Sequence, residues 1–215
     1  MIIVIAATKG GVGKSTIATN LAAVDVNAGH DSILVDADRQ GSAAAWSEVR
    51  DSSPALVRVP TVQKYGKGLL NELRELNKKY DNVFVDVGGR DSEEMRAALL
   101  AGDLLLIPTR PSQVDVWSLP KIIEVVTDAQ YVNPTLRYSF VVNGAHTSPN
   151  VKDAEEINEL LTDYPVCKTV IHHRRAFAKA PVQGMSVVDM KGDERDEKAI
   201  SEVMSLYSEV IQWLK

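Results

Sequence analysis

Apolar residues gather in short continuous runs at 2–7, 33–35, 83–85, 104–107 and 139–142, with a weaker run at 166–171. Runs that are apolar at successive rather than alternate positions belong to strands covered on both faces. Each is followed by a polar or glycine-rich break and then by helical spacing. Ile17, Leu21, Val24 and Ala28 are four, three and four apart; Leu69, Leu70, Leu73 and Leu76 form a second stripe, and Met95, Leu99 and Leu100 a third. Near the end, Ile200, Val203, Met204, Tyr207, Val210, Ile211 and Leu214 lie on one side of a helix whose other side carries Glu202, Ser205, Ser208 and Glu209. Strand and helix in alternation predict an α/β fold, a mostly parallel twisted sheet with helices on both faces. No linker or repeat interrupts the pattern, so one domain over 1–215 is expected.

The break after the first run carries the strongest chemical signal, Thr8-Lys9-Gly10-Gly11-Val12-Gly13-Lys14-Ser15-Thr16. Closely spaced glycines let backbone N–H groups turn inward around phosphate oxygens. Lys14 then reaches the terminal phosphates, the Ser15 hydroxyl ligates Mg²⁺, and the helix opening at Lys14 presents its positive end to the anion. The usual P-loop, G-x-x-x-x-G-K-[ST], has glycine where this chain has Thr8, and Lys9 is an extra cation. Ligands of open parallel sheets bind beyond the carboxyl ends of the strands. Thr8, Asp36, Asp86, Pro108 and Asn143 each follow an apolar run, so all five are expected at that edge. Asp86 suits a metal-holding role there, with helix capping as the alternative. Asp38 lies two residues past Asp36, nearer a γ-phosphate, and is the choice for orienting the attacking water; either aspartate could instead cap the next helix.

Charge and composition narrow the class. The 215 residues carry 24 Lys and Arg against 29 Asp and Glu, a formal net charge of −5, with 45% hydrophobic and 25% charged residues. A chain of this size buries about 70% of its surface and supports a full core. The lone Cys167 excludes a disulfide framework or a multi-thiolate metal site. The opening run is too short for a secretory signal and no stretch reaches the ~20 apolar residues of a membrane span, so a cytoplasmic location is expected. The final helix has an acidic rather than a basic polar side, which speaks against membrane-surface attachment.

The segment 9–16 resembles the deviant Walker A motif of ParA/MinD-type ATPases, which position DNA or other large cargo in bacteria and archaea. The likeness continues in Val35-Asp36-Ala37-Asp38-Arg39-Gln40-Gly41-Ser42, similar to that family's D-x-D-x-Q-G segment, and in Val83-Phe84-Val85-Asp86-Val87-Gly88-Gly89-Arg90 at the Walker B strand. It implies a P-loop NTPase fold, ATP and Mg²⁺ as ligands, and phosphate binding by Lys9, Gly10, Gly11, Val12, Gly13, Lys14, Ser15 and Thr16. It implies catalysis by Lys9, Lys14 and Asp38, with Ser15, Asp36 and Asp86 on the metal side. Lys9 would cross to a partner's nucleotide, giving an ATP-dependent homodimer; a role within its own subunit is the alternative. Asn143 would read the adenine edge, with the 180–184 loop closing over the base, unless it merely forms a turn before Gly144.

Between Asp163 and Asp189 there is no acidic residue, while Lys168, Arg174, Arg175 and Lys179 are basic. Arg174, Arg175 and Lys179 are expected on or beside one helix face, either as a contact for DNA phosphates or as a solvated surface. The resemblance implies nonspecific DNA binding here, nucleoid association, and a ParB-like adaptor that stimulates hydrolysis. With its P-loop at residue 8, the chain is similar to short partition proteins lacking an N-terminal helix-turn-helix. Two other classes stay open: a MinD-like membrane-associated ATPase, and a metabolic ATP-dependent ligase of the same fold.

Overall fold

The structure, a computed structural model, describes residues 1–112, 119–148 and 150–214. The described strands are β1 (Ile2–Ile5), β2 (Ser32–Ala37), β3 (Thr61–Gln63), β4 (Asn82–Val87), β5 (Leu104–Thr109), β6 (Arg137–Ala145) and β7 (Ile171–His172). They form a parallel sheet in the order β3-β2-β4-β1-β5-β6-β7. The described helices are α1 (Lys14–Asn27), α2 (Ser42–Asp51), α3 (Leu69–Asn77), α4 (Glu93–Ala101), α5 (Leu119–Val132), α6 (Asp153–Leu160), α7 (Arg175–Lys179) and α8 (Glu197–Leu214).

Alternation along each strand divides the core into two layers. On one face Ile3, Ile5, Leu34, Phe84 and Leu106 pack with Ile17 and Leu21 of α1, Trp46 of α2, and Leu206 and Val210 of α8. On the other, Val4, Val35, Val83 and Val85 meet Leu73 of α3, Met95 and Leu99 of α4, and Ile122 and Val125 of α5. β1 lies between β4 and β5, so the loop leaving its carboxyl end opens among the loops that leave β2, β4 and β5. Asp36 and Asp86 are register partners on β2 and β4. They share the face and alternation of Leu34 and Phe84, towards α1 and beneath the glycine loop.

Several boundaries differ from the pattern. β3 was not anticipated: it is a three-residue edge strand, half-buried to exposed, without an apolar run. β5 continues through Pro108 to Thr109, and β6 extends to Ala145, so Pro108 and Asn143 lie inside strands. The weak run at 166–171 splits, with Val166 making one bridge to Phe140 before β7 starts at Ile171. α1 stops at Asn27 and leaves Ala28 exposed. There Gly29, at φ 90°, lets its N–H and that of His30 satisfy the carbonyls of Val26 and Asp25. In α8 the buried line is Ala199, Val203, Leu206 and Val210, whereas Met204 is 44% exposed; the expected stripe was centred one position off. Its apolar side packs on the sheet and on α1. Among the described residues no helix is long and apolar enough to cross a membrane.

Candidate functional site

The glycine loop rises from β1 and enters α1 at Gly13, whose φ of 93° lies where an L side chain is strained. A Cβ there would also sit 2.1 Å from the Asn143 amide nitrogen. That amide donates to the Val12 carbonyl at 2.6 Å. Asn143 thus braces the loop from behind, and it is not among the residues lining the cleft in front of that loop. The 180–184 loop is tied to α2. Its Gly184 carbonyl accepts from Arg50 at 3.0 Å, and Arg50, fully buried on α2, also pairs with Asp189 at 2.7 Å. The loop is thereby fastened to the far end of α2.

In front of the glycine loop lies a cleft of about 760 Å³. Its floor is Gly10, Gly11, Gly13, Lys14, Ser15 and Thr16. One wall comes from Asp38, Arg39 and Gln40, the other from Gly88, Gly89 and Arg90, with Arg110 at the mouth. The second wall touches the glycine loop directly: a Cβ on Gly89 would lie 2.9 Å from both the Gly10 nitrogen and the Lys9 carbonyl oxygen. A bulkier residue there would push the loops apart. Lys14 is buried, and its ammonium donates to the Lys9 carbonyl at 3.3 Å. Burial pulls its pKa down, against the attraction of the Asp86 and Asp38 carboxylates.

The two strand-end aspartates have different jobs. Both Asp36 oxygens are committed to backbone, accepting from Asp38 N–H at 3.0 Å and Ala44 N–H at 2.8 Å. Asp36 therefore holds the turn that aims Asp38 and caps the first turn of α2, whose own N-cap Gly41 has no side chain. It was expected on the metal side; it is absent from the cleft lining, and the backbone bonds are the contacts its oxygens make here. Burial raises its pKa while those N–H groups lower it. Asp86 is fully buried, yet neither oxygen has a hydrogen-bond partner of ordinary geometry. Burial pushes its carboxyl up to about 7; the Ser15 hydroxyl and Lys14 oppose the rise, and Asp36 and Asp38 add to it. A buried, unpartnered acid beside a hydroxyl that lines a phosphate-shaped loop fits Mg²⁺. This ion keeps waters and shares its sphere with phosphates rather than needing an all-protein cage. Consistently, no group of three or more metal-binding side chains occurs among the described residues.

The basic segment differs from its expectation. Arg174 precedes α7 and is held by Glu202 of α8, its Nη2 at 2.6 Å and Nε at 3.0 Å. Lys179 pairs with Glu194 at 2.9 Å. Glu209 accepts from the Lys168 backbone at 2.8 Å. Acids missing from the local sequence thus arrive from α8 and the turn before it, and they pair two of the four cations, Arg174 and Lys179. Arg175 and the Lys168 ammonium are exposed and have no described acidic partner. Among cleft residues, Arg39 and Arg110 had not been singled out. Position was the available signal for Arg110, which leaves the end of β5; nothing in local pattern marked Arg39.

Comparison with known proteins agrees with this geometry. The CobQ/CobB/MinD/ParA nucleotide binding domain matches residues 3–187. The chain is 30% identical over 208 residues to maintenance of carboxysome distribution protein A of Halothiobacillus neapolitanus, covering 96% of this chain and 94% of that protein. It is 34% identical over 193 residues to the protein of the same name from Gloeobacter kilaueensis, covering 88% and 84%. The septum site-determining protein MinD of Pyrococcus horikoshii, complexed with Mg-ADP, matches with a TM-score of 0.74 at 18% identity, covering 97% and 95%. At that identity the likeness is one of fold. With that domain matching across most of its length, this chain belongs to the CobQ/CobB/MinD/ParA family of nucleotide-binding domains.

Proposed function

We propose that the chain is a dimerising ATPase that positions a large cargo over DNA, hydrolysing ATP to ADP and phosphate. The observation that carries the ATPase reading is the unpartnered Asp86 carboxylate beneath Ser15 and Lys14. The loop amides and the start of α1 hold the phosphates, and Lys14 neutralises their charge. Ser15 and Asp86 would hold Mg²⁺, which when bound withdraws charge from the β- and γ-phosphate oxygens. Asp38, aimed by Asp36 and packed against Gly88, orients the attacking water. Lys9 extends to the nucleotide of a second subunit, which makes dimerisation depend on ATP.

Both relatives described above are named for carboxysome distribution, so a protein compartment is the cargo class we favour over a plasmid. An adaptor on that cargo would stimulate hydrolysis. Nonspecific duplex DNA is the track, contacted first by Arg175 and Lys168, since Arg174 and Lys179 are held by acids. A membrane track is disfavoured because α8 buries Val203, Leu206 and Val210 in the core.

Sedimentation with nonspecific duplex DNA tests this reading, with Mg²⁺ and either ADP or a slowly hydrolysed ATP analogue at two salt concentrations. Comigration only with the analogue is expected, falling at high salt and in Lys168→Ala/Arg175→Ala, because each lost phosphate contact reduces the salt slope by about 0.9. Dimerisation without comigration would overturn the DNA track. No response to either nucleotide would overturn the ATPase cycle.

A further inference from the structure

Three arginines line the cleft, Arg39, Arg90 and Arg110. Among the described residues Arg39 is the one of the three with a charge partner. Its guanidinium lies 3.4 Å from the Glu94 carboxylate and over the Tyr65 ring, 5.6 Å from the centroid. The same Glu94 oxygen accepts the Gly66 N–H at 3.3 Å. These contacts join three loops across one side of the cleft: the loop after β2, which carries Asp38; the turn before α3; and the start of α4, which follows Gly88 and Gly89.

The two partners hold Arg39 loosely. Its side chain is 77% exposed, and its ion pair is long for a charged hydrogen bond. Exposed pairs of this kind contribute little because water screens them. A guanidinium on a phosphate makes shorter, charge-assisted and often paired hydrogen bonds, so a phosphate brought within reach outcompetes Glu94. The glycine loop and Lys14 take up the inner phosphates of a bound nucleotide. The terminal phosphate of ATP then lies towards Asp38 and Gly88, the residues beside Arg39. ADP places no phosphate there.

We propose that Arg39 is a γ-phosphate-sensing residue, held by Glu94 and Tyr65 in this structure and transferred to the terminal phosphate when ATP binds. It thereby makes the cleft selective for ATP over ADP. The inference rests on the nucleotide reading above and deepens it. Glu94 acts as the competitor that sets how readily Arg39 moves. Opposite effects are therefore expected from removing the two members of the pair.

The test is equilibrium binding of a slowly hydrolysed ATP analogue and of ADP, each with Mg²⁺, to the wild-type chain, Arg39→Ala, Arg39→Lys and Glu94→Gln. Arg39→Ala should weaken the ATP analogue about tenfold and leave ADP within about twofold. Arg39→Lys should fall between Arg39→Ala and wild type. Glu94→Gln, which keeps an acceptor for the Gly66 N–H, should tighten the analogue about two- to fivefold and leave ADP unchanged. Equal losses for both nucleotides in Arg39→Ala would overturn the proposal by showing a structural role. So would weaker analogue binding in Glu94→Gln, which would make the pair a fixed brace. Failure of the wild-type chain to bind either nucleotide would overturn the cleft's assignment, and this proposal with it.

Discussion

Asp25 and Asp86 are both fully buried carboxylates, at opposite edges of the same sheet. At the amino edge, Asp25 of α1 accepts from the Ser32 hydroxyl that opens β2, the Asn82 amide at 2.8 Å that opens β4, and the Tyr207 hydroxyl of α8 at 2.5 Å. His30 Nδ1 lies 2.8 Å away. At the carboxyl edge, Asp86 has no ordinary hydrogen bond at all. Burial is the same at both edges; satisfaction differs. A buried acid surrounded by well-placed donors ties elements together, whereas one whose nearby donors, here Ser15 and Lys14, make no bond of ordinary geometry is retained at a cost in stability and suits a ligand that supplies the missing partner. The physics of desolvation thus separates the brace from the site.

Removing the brace should have the largest effect. Asp25→Ala strips the acceptor from Ser32, Asn82 and Tyr207 together, and a loss of about 3–5 kcal/mol is expected in urea unfolding. A loss below about 1 kcal/mol would show that the network does not hold α1, β2, β4 and α8 together. Asn143→Ala sharpens the contrast at the other edge. As a loop brace it should weaken ATP and GTP about equally, by roughly tenfold, in competition binding. Loss for ATP alone would assign Asn143 the adenine-reading role. The smallest change is expected from His30→Ala, which trims the side chain in the Asp25 network that is 46% exposed. Under about 1 kcal/mol should be lost; a loss as large as that of Asp25→Ala would make the exposed imidazole the keystone.

The glycine loop was legible because backbone conformation limits which residues can stand there: Gly13 needs a positive φ, and the space for a Cβ is taken by Asn143. The central strands were legible because burial on both faces leaves no room for polar alternation. β3 was not, since a short, partly exposed edge strand takes its pairing from β2 and needs no apolar run. Likewise, Asn143 sits at a strand's carboxyl edge as expected, but its partner, Val12, is 131 residues away. The pairing of the basic stretch was hidden for a related reason. Local sequence shows Arg174 and Lys179 without acids, and the tertiary fold brings Glu202 and Glu194 to them. Charge along the chain is a different quantity from charge in space. Asp25 and Arg39 gave no signal, because an acid inside a helix and an arginine in a loop both resemble ordinary surface residues until their partners are known.

The central claim is that Asp86 is held for a ligand and not for the fold, and Asp86→Asn tests it most directly. Its folded pKa of about 7 stands above the ordinary value of 3.8, because burial penalises the charged form. The folded state therefore binds this proton more tightly than the unfolded one. The stability it brings is present at low pH and is lost as pH rises from about 4 to about 7. Measured by urea unfolding without nucleotide, Asp86→Asn should match the wild type below about pH 4 and exceed it at pH 8 by about 1–3 kcal/mol. At pH 8 the variant should also lose the added stability that Mg²⁺ with an ATP analogue gives the wild type. An Asp86→Asn protein less stable than wild type at pH 8, yet still stabilised by Mg²⁺ and the analogue, would make Asp86 a brace like Asp25 and contradict the account.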